Sequence, residues 1–241
     1  MMKKEKMRFE KKKDTVQGMF DAIAPRYDFL NHFLSLGIDK LWRKKVRDLL
    51  KPLKPQSILD VAAGTADLSC AVSSLRPKEI KGIDISEEML KIGRKKVRDR
   101  GLDSMIELIQ ADVENLPFAD NHFNAVIVAF GVRNFENRKK GLHEIFRVIK
   151  DNGVFIVLEF SKPTKFPVKQ VYNIYFNHIL PFAGRVISGD KSAYSYLPGT
   201  VNTFPCGKDF TDELDSAGFT DTSFSTVSFG IASIYTGRKK T

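Results

Sequence analysis

Cysteine and histidine are scarce in this sequence, with two and four in 241 residues. Cys70 and Cys206 have neither metal-ligand spacing nor the number needed for a disulfide framework, which fits a reducing cytoplasm. The histidines are scattered, so no metal is expected. Long apolar runs are missing as well. The run Ala125–Val132 falls far short of the roughly 20 residues of a membrane span. No apolar segment of adequate length follows the basic start, so no signal peptide is read there. Repeats and low-complexity tracts are absent beyond that start.

What is abundant is positive charge, a formal +10, but it is unevenly placed. Lys3, Lys4, Lys6, Arg8, Lys11, Lys12 and Lys13 against Glu5 and Glu10 give the first thirteen residues +5. Arg238, Lys239 and Lys240 carry +3, which leaves only +2 for everything between. A nearly neutral body with basic tails speaks against a nucleic-acid-binding surface. Residues 1–13 read as a disordered basic tail with a weak electrostatic attraction to anionic lipid. The 42% hydrophobic content suffices for one buried α/β domain with decoration.

Residues 14–55 read as an N-terminal helical cover, in which Ile38, Leu41, Trp42, Val46, Leu49 and Leu50 recur at helical spacing. Pro52 and Pro55 close it. Residues 56–241 then alternate strand and helix. Strands are predicted at Ser57–Val61, Glu79–Asp84, Met105–Gln110, Phe123–Phe130 and Val154–Glu159. Helices are predicted at Thr65–Leu75, at Ser86–Arg100 with Ser86 as its cap, and around Leu142, Ile145, Phe146 and Ile149. A helical insertion is expected at about residues 165–206. After a helix at Phe210–Ala217, stopped by Gly218, the segments Thr220–Val227 and Phe229–Thr236 should form an antiparallel hairpin. The expected fold is therefore α/β, a doubly wound, mostly parallel seven-stranded sheet ending in that hairpin, as in class I S-adenosylmethionine-dependent methyltransferases.

The first strand runs into Asp60-Val61-Ala62-Ala63-Gly64-Thr65-Ala66-Asp67. In open α/β sheets ligands bind beyond the carboxyl ends of the strands, and a turn of small residues lets one approach the backbone. Asp60 beside this turn would repel a pyrophosphate but suits the ammonium end of S-adenosylmethionine. Asp84 ends the second strand, where an acid can accept both ribose hydroxyls. Asp112 follows the third strand and can accept from an adenine amino group, with the Val113 amide beside it. Gly64, the one glycine of this turn, completes the expected cofactor set.

Two longer stretches resemble the UbiE/MenG quinone C-methyltransferases. The first is Tyr27-Asp28-Phe29-Leu30-Asn31 with Leu34-Ser35 and Trp42. The second is Arg147-Val148-Ile149-Lys150 with Gly153 and Leu158-Glu159-Phe160-Ser161. Leu116-Pro117-Phe118, Phe130-Gly131-Val132-Arg133-Asn134, Tyr194-Ser195-Tyr196-Leu197-Pro198 and Phe204-Pro205 are similar too, so the likeness spans roughly residues 15–237. The chain departs from the family pattern at Asp39, at Asp151-Asn152, at Ala129 and at Ala66, which stands for the last glycine of the cofactor loop. The resemblance implies a demethylated polyprenyl quinol as substrate, most often demethylmenaquinol, and Thr65, Asp84, Asp112 and Val113 as cofactor contacts.

Methylating a ring carbon calls for an ionised neighbouring hydroxyl. Tyr27 and Asp28 are candidate bases, and Arg133 a candidate partner for the phenolate. His178 and Asp190 lie in the segment expected to cover the site, and the aromatic stripe from Tyr172 to Phe182 could meet an isoprenoid tail. A methyltransferase for another small molecule and a non-catalytic subunit of the same fold are the alternatives. The partners expected are the quinol, a peripheral contact with the inner face of the membrane from a cytoplasmic protein, and no nucleic acid. Homo-oligomerisation is left open.

Overall fold

Every residue of Ser57–Val61 is buried, and around this strand, β1, the sheet is laid out. A computed structural model describes residues 13–28, 35, 37–175 and 199–240 of the chain. Its seven strands are β1, β2 (Glu79–Asp84), β3 (Ile106–Gln110), β4 (Phe123–Ala129), β5 (Ile149–Phe160), β6 (Thr220–Val227) and β7 (Ala232–Arg238). They run in the order β3-β2-β1-β4-β5-β7-β6. β1 pairs in parallel with both β2 and β4, so the winding reverses between β1 and β4. β7 enters antiparallel to β5, with Val154 opposite Arg238 and Phe160 opposite Ala232.

Burial on both faces explains the near-continuous apolar run of β4. Val126 and Val128 join one cluster with Leu142, Phe155 and Phe210, while Ala125 and Ile127 join the other with Trp42, Ile58 and Leu90. Alternate residues thus meet separate helical layers, as a parallel sheet covered on both sides requires. Among the helices are α1 (residues 13–28), α2 (Ile38–Leu50), α3 (Asp67–Val72), α4 (Glu87–Asp99), α5 (Arg138–Val148), α6 (Val168–Ile174) and α7 (Lys208–Ser216). Ser86 caps α4, its Oγ accepting from the Met89 amide at 3.2 Å.

Some details differ from expectation. Lys13, assigned to the solvated tail, is helical and lies in α1. Leu41 and Leu49 of α2 are exposed, and the buried stripe instead includes Asp39 and Arg43, paired with each other. An ion pair within the stripe satisfies two charges that burial would otherwise penalise. Ile149 is not the last turn of a helix but the first residue of β5, still fully buried. In the hairpin, β7 takes the inner place and leaves β6 as the edge strand. His178, Asp190 and the stripe beyond Tyr175 lie outside the described residues.

Candidate active site

A chain leaving β1 must turn sharply to start α3. Ala62, Gly64 and Ala66 all take left-handed backbone angles to do so (φ 54°, 55° and 64°). The loop is pinned by the Ala63 amide donating to the Ile83 carbonyl at 2.8 Å. Ala66 accepts a conformation that glycine adopts freely, at a cost of about 1 kcal/mol. At Gly64 an added Cβ would meet nothing within 4 Å, so this point of the loop stays open. Gly131, after β4, has the opposite constraint: a Cβ would lie 2.6 Å from that of Ala62. The β1 and β4 loops therefore pack together, and the cleft begins beside them.

The cleft encloses about 820 Å³, including the part open to solvent. Ala62 and Gly64 contribute from the loop after β1, Asp84 and Met89 from β2 and α4, and Asp112 and Val113 from the segment after β3. Phe130, Phe135 and Glu136 contribute from the loop after β4. Its fourth wall is α1, through Lys13, Val16, Phe20 and Tyr27. Four lining side chains are acids, Asp84, Asp112, Glu114 and Glu136, against one base, Lys13. Such a balance suits a cationic ligand and opposes a pyrophosphate.

Asp84 is the structural centre of the cleft. One carboxylate oxygen accepts from the Gly64 amide and the other from the Ser86 amide, each at 2.9 Å. Burial pushes its carboxyl up to about 6, with the amides of Ser86 and Gly64 opposing the shift. Asp60 does not line the cleft. It is buried beneath the loop and accepts from Ser69 Oγ at 2.6 Å. Burial lifts it further, to about 7, against the Ser69 hydrogen bond. Asp112 caps the following helical turn by accepting from the Glu114 amide at 3.0 Å, while its other oxygen pairs with Lys13. Thr65 is buried and donates to Asp28 at 2.5 Å.

These contacts reveal how α1 is held. Along its length Lys13 pairs with Asp112, Asp21 accepts from Ser86 Oγ at 2.5 Å, and Asp28 accepts from Thr65. One helix is thus tied in turn to the loops after β3, β2 and β1. Asp28 also pairs with Lys96 of α4 at 2.7 Å, and Lys96 with Asp67 of α3 at 2.6 Å.

Of the catalytic candidates, Tyr27 lines the cleft, set edge-on to Phe20 with ring centroids 6.1 Å apart. The structure gives Asp28 and Arg133 other tasks. The Asp28 carboxylate is engaged by Thr65 and Lys96. Phe130 takes a left-handed angle (φ 59°), and the Arg133 side chain three residues on is turned inward. Its Nη1 donates to Glu159 at 2.5 Å and to the Phe130 carbonyl at 2.6 Å, and its guanidinium lies 5.5 Å from the Phe160 ring centroid. Glu159 is fully buried, so this is an interior ion pair that holds the β4 loop.

Sequence reasoning missed Lys13, Phe20 and Glu136 as lining residues. For α1 the signal was present: Val16, Phe20, Ala24 and Tyr27 recur at helical spacing. Glu136 carried none, because a lone acid in a loop has no periodicity.

With this geometry in view, likeness to known proteins is informative. Residues 6–239 match the model of the ubiE/COQ5 methyltransferase family. A demethylmenaquinone methyltransferase of Bacteroides fragilis is 47% identical over 230 residues, 95% of this chain and 94% of that protein. A ubiquinone/menaquinone biosynthesis C-methyltransferase UbiE of Geotalea daltonii is 41% identical, covering 95% and 97%. Among solved structures, a SAM-dependent methyltransferase from Thermotoga maritima superposes with a TM-score of 0.64 at 18% identity, covering 93% and 99%. At that identity the likeness is one of fold.

Proposed function

The chain belongs to the ubiE/COQ5 methyltransferase family, and from that membership we propose that it methylates a ring carbon of demethylmenaquinol, a polyprenyl quinol, using S-adenosylmethionine. The observation that carries the reading is the acid-lined cleft at the carboxyl ends of β1 to β4, open at Gly64. Its donor set fits the cofactor. Asp84 holds two amides, which leaves acceptor positions of its roughly four for the ribose hydroxyls. Asp112 and the Val113 amide serve the adenine edge. Gly64 and Thr65 border the methionine end, and Asp60 beneath the loop adds negative charge toward its ammonium group.

The bound cofactor supplies a methyl group made electrophilic by a sulfonium. The chain's part is to bring the quinol ring carbon into line and to favour its ionised form. Phe20, Phe130 and Phe135 exclude water from the reacting centre, where merging opposite charges is favoured. Tyr27 is the candidate that borders this space, and we assign it the contact with the quinol hydroxyl. Asp28, fixed by Thr65 and Lys96, is a positioning residue for the tyrosine beside it, and Arg133 one for Phe130. No helix among the described residues is long and apolar enough to cross a membrane. The encounter with a lipid-borne substrate is proposed to be peripheral, at the inner face of the membrane.

The test is incubation of the purified chain with methyl-labelled S-adenosylmethionine and a short-tailed demethylmenaquinol under reductant, with the product identified by mass spectrometry. The label is expected on ring carbon, and the rate should rise with pH as the bound quinol ionises. Label on oxygen, or an equal rate with oxidised quinone under strict exclusion of reductant, overturns the mechanism.

A further inference from the structure

Where β5 ends and β7 begins, the surface carries four large, exposed apolar side chains. Phe229 is 85% exposed, Phe166 80%, Val171 64% and Ile174 56%. They belong to one edge. The turn Ser228–Gly230 lies against the strand end, with Ser161 Oγ donating to the Gly230 carbonyl at 2.8 Å and the Ser161 amide to Ile231 at 2.9 Å. A Cβ added at Gly230 would lie 3.3 Å from Pro163, three residues before Phe166, so the two segments run close together. α6 rests on the same place through Tyr172, which packs with Phe160 and Ile231. Val171 and Ile174, three apart, share its outward side.

The presentation of Phe229 is held against backbone preference. Ser228 and Phe229 are both left-handed (φ 47° and 59°), a conformation disfavoured for a bulky side chain. The turn is kept there by Trp42 Nε1 donating to Ser228 Oγ at 2.8 Å. Strain that turns a phenyl ring outward into solvent calls for something to receive the ring.

Charge selects the receiver. Residues 161–175 contain Lys162, Lys165 and Lys169 and no acid, and residues 222–231 contain no charge at all. We propose that this face docks on an anionic phospholipid bilayer, with Phe229, Phe166, Val171 and Ile174 entering the headgroup region and Lys165 and Lys169 meeting lipid phosphates. The face adjoins the cleft: Phe160 beneath it stacks on the cleft-lining Phe130 with centroids 4.5 Å apart. Docking there brings the cleft to the bilayer in which a polyprenyl substrate resides. That last consequence rests on the quinol reading, whereas the docking face does not.

The test is co-sedimentation of the full chain with quinol-free vesicles, of phosphatidylcholine with phosphatidylglycerol and of phosphatidylcholine alone. Phe229→Asn is the first variant, because asparagine tolerates the left-handed turn and removes only the ring. It should lower partitioning on the order of tenfold, and Val171→Ser with Ile174→Ser by a similar factor. Lys165→Gln and Lys169→Gln should each lower it about fivefold, on anionic vesicles only. All should methylate a short-tailed soluble quinol like the parent. The proposal is overturned if the apolar variants sediment as the parent does. It is equally overturned if deletion of residues 1–12 alone abolishes vesicle binding, or if the variants convert a dimer to monomer without altering sedimentation. Failure of the soluble-quinol assay in the parent would instead remove the substrate reading and leave docking standing.

Discussion

Replacing Asp84 by asparagine separates its two roles. As a cofactor ligand it contributes a charged acceptor, and losing one costs about 1.5–3 kcal/mol, a factor of roughly 10 to 150 in affinity. As a structural residue it holds the Gly64 and Ser86 amides on separate oxygens, both at 2.9 Å. Asparagine has one carbonyl oxygen, so one amide loses its acceptor, at about 1–3 kcal/mol of stability. Charge works in the other direction. Burial raises the carboxyl from 3.8 to about 6 in the fold, so the neutral form is favoured there. The stability this confers is fully present below pH 3.8 and is lost as pH rises through 6. Asparagine cannot ionise, so this slope disappears.

The same linkage acts on binding. If the cofactor needs the ionised form, at pH 5 a carboxyl with a pKa of about 6 supplies it in about one molecule in eleven. Affinity measured by titration calorimetry should therefore fall about tenfold from pH 8 to pH 5 in the parent. In Asp84→Asn it should start lower, and the part of the decline centred on pH 6 should vanish. Any remaining decline centred near pH 7 belongs to Asp60, raised to about 7 by its burial. Unchanged affinity in Asp84→Asn, or the full decline retained around pH 6, refutes the reasoning.

Three further outcomes follow from the ties around the cleft. Arg133→Ala leaves the buried Glu159 carboxylate without its cation and should destabilise by about 3–5 kcal/mol; thermal unfolding should show Arg133→Met with Glu159→Gln recovering much of the loss. Asp28→Asn loosens α1 from Thr65 and Lys96, so the cofactor off-rate in stopped-flow should rise while the unfolding midpoint moves little. Deleting residues 1–12 should leave turnover of a short-tailed quinol unchanged, whereas deletion through Phe20 removes a cleft wall and should raise the cofactor KM by on the order of tenfold; equal effects of the two deletions would show that α1 is not that wall.

Much of this protein is legible from local pattern alone. Strands β1 and β2 match expectation residue for residue, because β1 is buried throughout, β2 buries Ile80, Gly82 and Ile83, and each is bounded by a turn. The place of Asp84 and Asp112 at the cleft was legible because the carboxyl end of such a strand is where an α/β sheet receives ligands, so position along the chain implies position at the cleft. The helix start at Ser86 follows equally from capping chemistry. What tertiary structure alone decided involves partners far apart in sequence. Arg133 reads as a site-edge cation until Glu159 is seen 26 residues later, buried at 2.5 Å from it. Lys13 reads as part of a solvated tail until Asp112 is seen to receive it. Asp60 reads as a carboxylate beside the turn, yet it is buried beneath the loop after β1, where it accepts from Ser69. Nearest-neighbour chemistry and periodicity are carried by the residues themselves. The direction a charged side chain takes depends on which opposite charge the fold delivers, and one chain segment does not contain that information.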